Sequence, residues 1–107
     1  GVALDLVNLE IYFSINGTFQ NSGDPTSGSS GTGSAGDLQS GQTYFPSLVI
    51  ARAGGTGTIP IGEYNFGSPP YSESGGNSDA DGYGNFAAAP PSGYFSINTK
   101  NLAEYGG

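Results

Sequence analysis

Apolar and polar residues alternate along the start of the chain. In "GVALDLV", Val2, Leu4 and Leu6 point one way, and Ala3, Asp5 and Val7 the other. A period of two with one apolar side predicts a strand. "LEIYFSI" repeats the pattern, with Leu9, Ile11, Phe13 and Ile15 expected inward and Glu10, Tyr12 and Ser14 outward. Only Asn8, or Val7-Asn8, separates the two runs, which predicts a tight hairpin. Asn16-Gly17 is a strong hairpin signal, because both turn positions need a positive φ. Phe19 then begins a short return segment, completing an antiparallel meander.

Further along, the apolar residues fall in blocks separated by Gly, Ser, Asn and Pro. The stretch 21–42 reads as a long loop. "TYFPSLVI" (43–50) reads as a strand, with Pro46 placing it at an edge or a bulge. A turn is expected at 53–57, and "TIPIGEYNF" (58–66) reads as a strand interrupted by Pro60 and Gly62. A second long loop covers 67–85. "FAAAPPSGYFSINTKNL" (86–102) gives a Pro-Pro turn and a short strand, "YFSIN". Helical periodicity is absent throughout, and "AAA" at 87–89 is stopped by Pro90. Many short strands with Gly/Pro punctuation predict an all-β fold, an antiparallel β-sandwich, in a single domain over 1–107. Phe13, Phe45, Phe66 and Phe95 fall on strand positions and are expected in the core.

Composition narrows the chemistry. The chain of 107 residues has 20 Gly and 7 Pro, near the level of low-complexity sequence, yet its apolar residues are clustered. Arg52 and Lys100 stand against nine carboxylates, for a formal net charge of −7. That balance disfavours nucleic acid, whose phosphates need Lys and Arg, and docking on anionic lipid. There is no Cys, Met, Trp or His, which removes disulfides, thiolate chemistry and an imidazole base. No apolar run approaches the length of a membrane-spanning helix. No signal peptide is visible.

Five segments, in order, resemble the SPRY family in its bacteriophage and bacterial branch. "GVALDLVNLEIYFSING" is similar to the family's central hairpin, with Leu-Asp closing one strand and Asn-Gly closing the next. "FQNSGDPTSG" is similar to the loop that follows, and "YFPSLVI" to a Tyr-Phe-Pro strand. "YNFGSPPY" (64–71) matches an Asn-Phe-Gly segment followed by Pro and an aromatic. "FAAAPPSGYFSINTKNL" resembles the closing segment. The sequence departs from the family in having Ser68 alone where Gln-Arg is usual, and in the extra stretch 71–85. The match also begins mid-pattern, covering nearly all of this chain but about half of the domain. The resemblance implies a concanavalin-like, jelly-roll sandwich of two sheets. Half a sandwich would expose the apolar face of Val2, Leu4, Leu6, Ile11 and Phe13 and leave strand edges unpaired. Three outcomes follow: a portion of a larger protein, strands supplied by another subunit, or a minimal variant that closes differently. The abrupt start at Gly1 favours the first.

Candidate chemistry is sparse. In "NSDADGYGN" (77–85), Asn77, Asp79 and Asp81 precede Gly82 like the start of a calcium loop. The closing Glu is missing, since Ala88 and Pro90 stand where it would fall, and a solvated Asx-rich turn is the favoured reading. Asp24-Pro25 reads as turn initiation. Asp5 and Glu10 lie close across the first hairpin but are expected to point outward as solvated charges. No nucleophile, phosphate loop or dinucleotide fingerprint is present, and no cofactor is expected. Asn16-Gly17-Thr18 is a glycosylation sequon fully explained by its turn. Tyr71 and Tyr83 sit in polar loops, where an aromatic supplies contact area at low entropic cost. The expected function is a non-catalytic structural or binding module of a phage virion protein (tail, fibre or capsid-associated). It would work at the virion or extracellular surface, within an oligomeric assembly, contacting other virion subunits, remaining strands of the same protein, or a host surface protein or glycan. A lectin-like carbohydrate-binding module is the alternative.

Overall fold

A computed structural model describes residues 1–51, 54, 57, 58 and 60–106. Its regular structure is predominantly antiparallel β. Strands β1 (Val2–Asp5), β2 (Glu10–Ile15) and β3 (Thr18–Phe19) form the expected meander. A further short strand, β4 (Gly36–Asp37), pairs with the start of β2. β2 is therefore central, with β1 on one side and β3 and β4 sharing the other. Asn16 (φ 50) and Gly17 (φ 79) make the β2–β3 turn in the left-handed region that Asn-Gly tolerates.

The first hairpin is shorter in its strands than alternation suggests. Asp5 pairs with Glu10, so Leu6, Val7, Asn8 and Leu9 all belong to the turn. The cause is Asp5. Its Oδ1 accepts from the backbone N–H of Val7 and Asn8, at 3.0 and 2.9 Å, and its Oδ2 from Asn8 Nδ2 at 2.7 Å. A side chain that caps the backbone ahead of it ends the ladder there.

The alternation holds, but the expected faces are reversed. Ala3 and Tyr12 pair across β1 and β2 and are buried, at 5% and 1% exposure. Val2 (64%) and Phe13 (46%), expected inward, are exposed, as is Ile15. Asp5 and Glu10, expected to point to solvent, share the face of Ala3 and Tyr12 and are half-buried.

What reverses the faces is the bare stretch after Phe19. Residues 20–38 fold back over Tyr12. The Tyr12 ring meets Phe19 edge-on at 6.5 Å, and its hydroxyl lies 3.5 Å from Ser27 Oγ. The loop is stitched to β2 by Ala35 N–H to Ile11 O (2.8 Å) and Leu38 N–H to Leu9 O (2.6 Å). Leu38 and Pro25 are buried under it. Asp24 opens a turn, as expected, its Oδ1 accepting from Thr26 N–H and Oγ1 at 2.9 and 2.6 Å. Those bonds, the Thr26 hydroxyl first, hold its carboxyl below the usual range. Two short 3-10 turns, Gln20–Ser22 and Gly28–Ser30, continue the path. Gly31 has φ 54, in the left-handed region that favours glycine, and the Glu10 carboxylate lies where a side chain there would begin. The second half of the loop is hydrogen-bonded within itself and to β2, through Gly31 N–H to Gly28 O, Ser34 N–H to Gly31 O and Ala35 N–H to Ile11 O.

Among the described residues the later strands do not form. None of the described residues in 43–50 or 58–66 is in a hydrogen-bonded strand. Ala53, Gly55 and Thr56 of the expected turn, and Ile59, lie outside the described residues. Pro46 and Pro60 lack an N–H to pair. The two stretches meet through side chains instead, with Leu48 and Ile50 lying over Gly62. Phe45 and Phe66, expected in the core, are exposed, as is Phe95. "YFSIN" is not a strand either, because Asn98 N–H turns back to Ser96 O at 2.9 Å. Helix α1 (Thr99–Tyr105) follows, where no helix was expected. Its start is set by Asn98, whose side chain accepts from Asn101 N–H. The Cα radius of gyration is 15.2 Å, against about 13 Å for a compact domain of this length.

Replacing Tyr12 by Ala is expected to cost about 3 kcal/mol or more. Phe13→Ala, on the adjacent but open face, should cost no more than about 1 kcal/mol. Urea unfolding of both variants checks which face is the core.

Candidate functional site

The described residues hold one buried carboxylate, Asp79, at 7% exposure. It lies in the loop singled out as calcium-like. Its Oδ1 accepts from the N–H of Asp81 (3.1 Å) and Tyr83 (2.9 Å). Its Oδ2 accepts from Ser96 N–H (2.9 Å), Ser96 Oγ (2.5 Å) and Asn101 Nδ2 (2.6 Å). Burial pushes the carboxyl pKa up, but the bonds from Ser96, Asn101 and Tyr83 outweigh it and hold it well below the usual range. Asp79 thus ties the loop to the 96–98 turn and to α1.

The partners extend the tie. Asn101, 6% exposed, also donates from Nδ2 to Ser96 O at 2.8 Å. Asn98 Nδ2 donates to Ser96 Oγ at 2.5 Å. Nothing local in the sequence marks Ser96 and Asn101 as partners of Asp79, although Asn98 is a favoured N-cap residue. Asn77 works in the same manner nearby. It exchanges backbone bonds with Phe86, and its Nδ2 donates to Phe86 O (3.0 Å), Ala87 O (3.1 Å) and Gly75 O (3.2 Å). Asn65 and Asn85 complete the set, Asn65 Nδ2 donating to Asn85 O and Asn85 Nδ2 to Glu73 O, both at 2.8 Å.

The three calcium-loop candidates therefore do different jobs. Asp79 is saturated by five donors, and Asn77 spends its amide on backbone carbonyls. Asp81 is half-buried, with Oδ2 buried and without a hydrogen-bond partner. It stands beside Tyr105, whose hydroxyl pKa is pushed up to about 12, chiefly by the Asp81 carboxylate. Among the described residues no three acidic side chains converge to hold a metal ion. Asp79, whose carboxyl is held well below the usual range, is also a weak general base.

Tyr83 and Tyr71 differ in availability. Lys100 Nζ sits 4.9 Å from the Tyr83 ring centre, and the Tyr83 hydroxyl donates to Glu104 Oε2 at 3.4 Å. The charge of Glu104, above the effects of burial and Asp81, raises the Tyr83 pKa. Its ring face is thus engaged by Lys100 of α1, which weakens it as a sugar-stacking platform. Tyr71 is exposed beyond Pro69-Pro70. A third tyrosine, Tyr94, was not singled out. Its hydroxyl donates to Pro25 O at 2.7 Å, fastening the 20–38 loop to the C-terminal segment. Burial, with Asp5 next, pushes its pKa up to about 12, so it remains a donor at neutral pH.

No protein-family model, curated protein or solved structure matches the chain. No helix among the described residues is long and apolar enough to cross a membrane.

Asp79 binds its donors as an anion, so the folded chain holds this proton less readily than the unfolded one. The stability it contributes is full above the unfolded carboxyl pKa of about 4 and is lost as pH falls below it. Thermal melts from about pH 7 to pH 2 are expected to show that fall. Asp79→Asn should be less stable at neutral pH, with a shallower fall on acidification.

Proposed function

We propose that this chain is a non-catalytic structural and binding module of a phage virion protein, a tail, fibre or capsid-associated component. It mediates contacts between virion proteins, or attachment to a host. The observation that carries the reading is the apolar sheet face of Val2, Phe13 and Ile15, exposed to solvent. Contiguous apolar faces on a soluble protein mark interaction sites. A chain that covered itself would turn these residues inward, and this one spends its covering loop on the other side. The virion setting rests on the five segments that resemble SPRY domains. In this reading, strands from the rest of the same protein or from another subunit cover the open face and complete a concanavalin-like sandwich. The saturated Asp79 and the struts around it support a scaffold role rather than a catalytic one.

Expressed alone, the chain is expected to self-associate and to bind an apolar dye such as ANS. Threonine at positions 2, 13 and 15 together should lower both. A monomer that unfolds in one two-state transition and binds no dye would overturn the module reading. Immunogold labelling of particles assembled with an epitope-tagged chain tests the virion setting, and unlabelled particles would remove it.

A further inference from the structure

We propose that the free edge of β1 receives an extended strand from outside this chain, apolar on one side and carrying a lysine or arginine in register with Asp5. The inference rests on the module reading and names the partner's chemistry.

The edge is defined by the hydrogen-bond pattern. Gly1 and Ser14 exchange both backbone bonds, at 2.7 and 2.8 Å. In an antiparallel ladder such pairs alternate. Ala3 and Asp5 therefore bond toward β2, and the N–H and C=O of Val2 and Leu4 point away from it. No described strand pairs on that side. Such a row is a template for strand addition. The side chains of Val2 and Leu4 lie on the open face with Ile11 and Phe13. Residues of an added strand opposite Val2 and Leu4 would project onto that same face, so apolar groups there would cover it.

Charge sets the rest of the partner. Asp5 pairs with Glu10, and Glu10 with Asp37. Three carboxylates thus stand in one row across β1, β2 and β4, on the face opposite the apolar one. Like charges directly across strands repel. Asp5 is partly satisfied by its turn, but Glu10 Oε2 is buried without a partner. Lys100, the only basic side chain among the described residues, stands over Tyr83 instead. A strand added at β1 places its next residue beside Asp5 at the end of this row, where a cation relieves the repulsion. A second copy fits poorly, because it brings the same net −7 and no basic side chain in its β1.

The test uses two synthetic peptides of alternating valine and threonine, one with a lysine replacing a threonine and one with a glutamate there. Binding to the whole chain is followed by fluorescence anisotropy at low and high salt. The lysine peptide is expected to bind at least about tenfold more tightly, an advantage of about 1.4 kcal/mol that shrinks with salt. Leu4→Pro removes an outward N–H and should weaken binding by a similar factor with an unchanged far-UV spectrum. Asp5→Asn keeps the turn acceptor and should erase the preference for lysine. Equal binding of the two peptides, which needs no variant, would overturn the proposal. So would full binding to a folded Leu4→Pro chain, or a dimer that Leu4→Pro dissolves. If ANS marks the open face but neither peptide binds, the strand partner is wrong and the module reading stands. If ANS finds no open face, both fall.

Discussion

A small sheet has two faces, and this chain has cover for one. The cover is the loop 20–38, which closes over Ala3 and Tyr12. Once Tyr12 is inside, alternation puts Val2, Phe13 and Ile15 outside, because a strand cannot send neighbours to the same side. The open apolar face and the half-buried carboxylates on the covered face both follow from this one choice. Ala3 helps to explain it. A small residue opposite a large one leaves room for a loop of small residues to lie flat on the sheet.

The C-terminal half meets a different shortage. It has many glycines and few apolar side chains that stay inside. Asparagine and aspartate take the place of a strand ladder there. Asp79 gathers donors from three segments, and Asn65, Asn77 and Asn85 donate to backbone carbonyls of neighbouring segments. Polar side chains used in this way satisfy backbone groups that glycine-rich chain leaves open. The consequence is a body held by directional bonds more than by packing. Removing one acceptor such as Asp79 strands several donors together.

The meander and its Asn-Gly turn were legible from alternation and turn chemistry, since both are local. The choice of face was not, because Ala3 and Tyr12 look more polar than Val2 and Phe13 when only their own strands are read. What decided it was a loop with no large apolar residue before Leu38. The strands expected at 43–50 and 58–66 failed because apolar β-branched residues express a preference that needs a partner edge. α1 was hidden by its length. Seven residues give too little periodicity, and only the Asn98 cap marked its start. At the candidate site, Asp79 was visible and its purpose was not. Ser96 and Asn101 lie 17 and 22 residues away in sequence, and nothing local announces that they converge on it.

The bond from Tyr94 to Pro25 spans 69 residues. A chain is made from its N-terminus, so the hairpin and its loop leave the ribosome long before their outer clasp exists. Until Tyr94 arrives, the loop is held only by its own bonds and by β2, and the apolar face beside it is already formed. Contacts of such long range are slow to close. During that interval the loop can lift from Tyr12, so the covered face is open as well. The order of synthesis therefore lets the hairpin fold on local contacts first and adds its longest-range bond last.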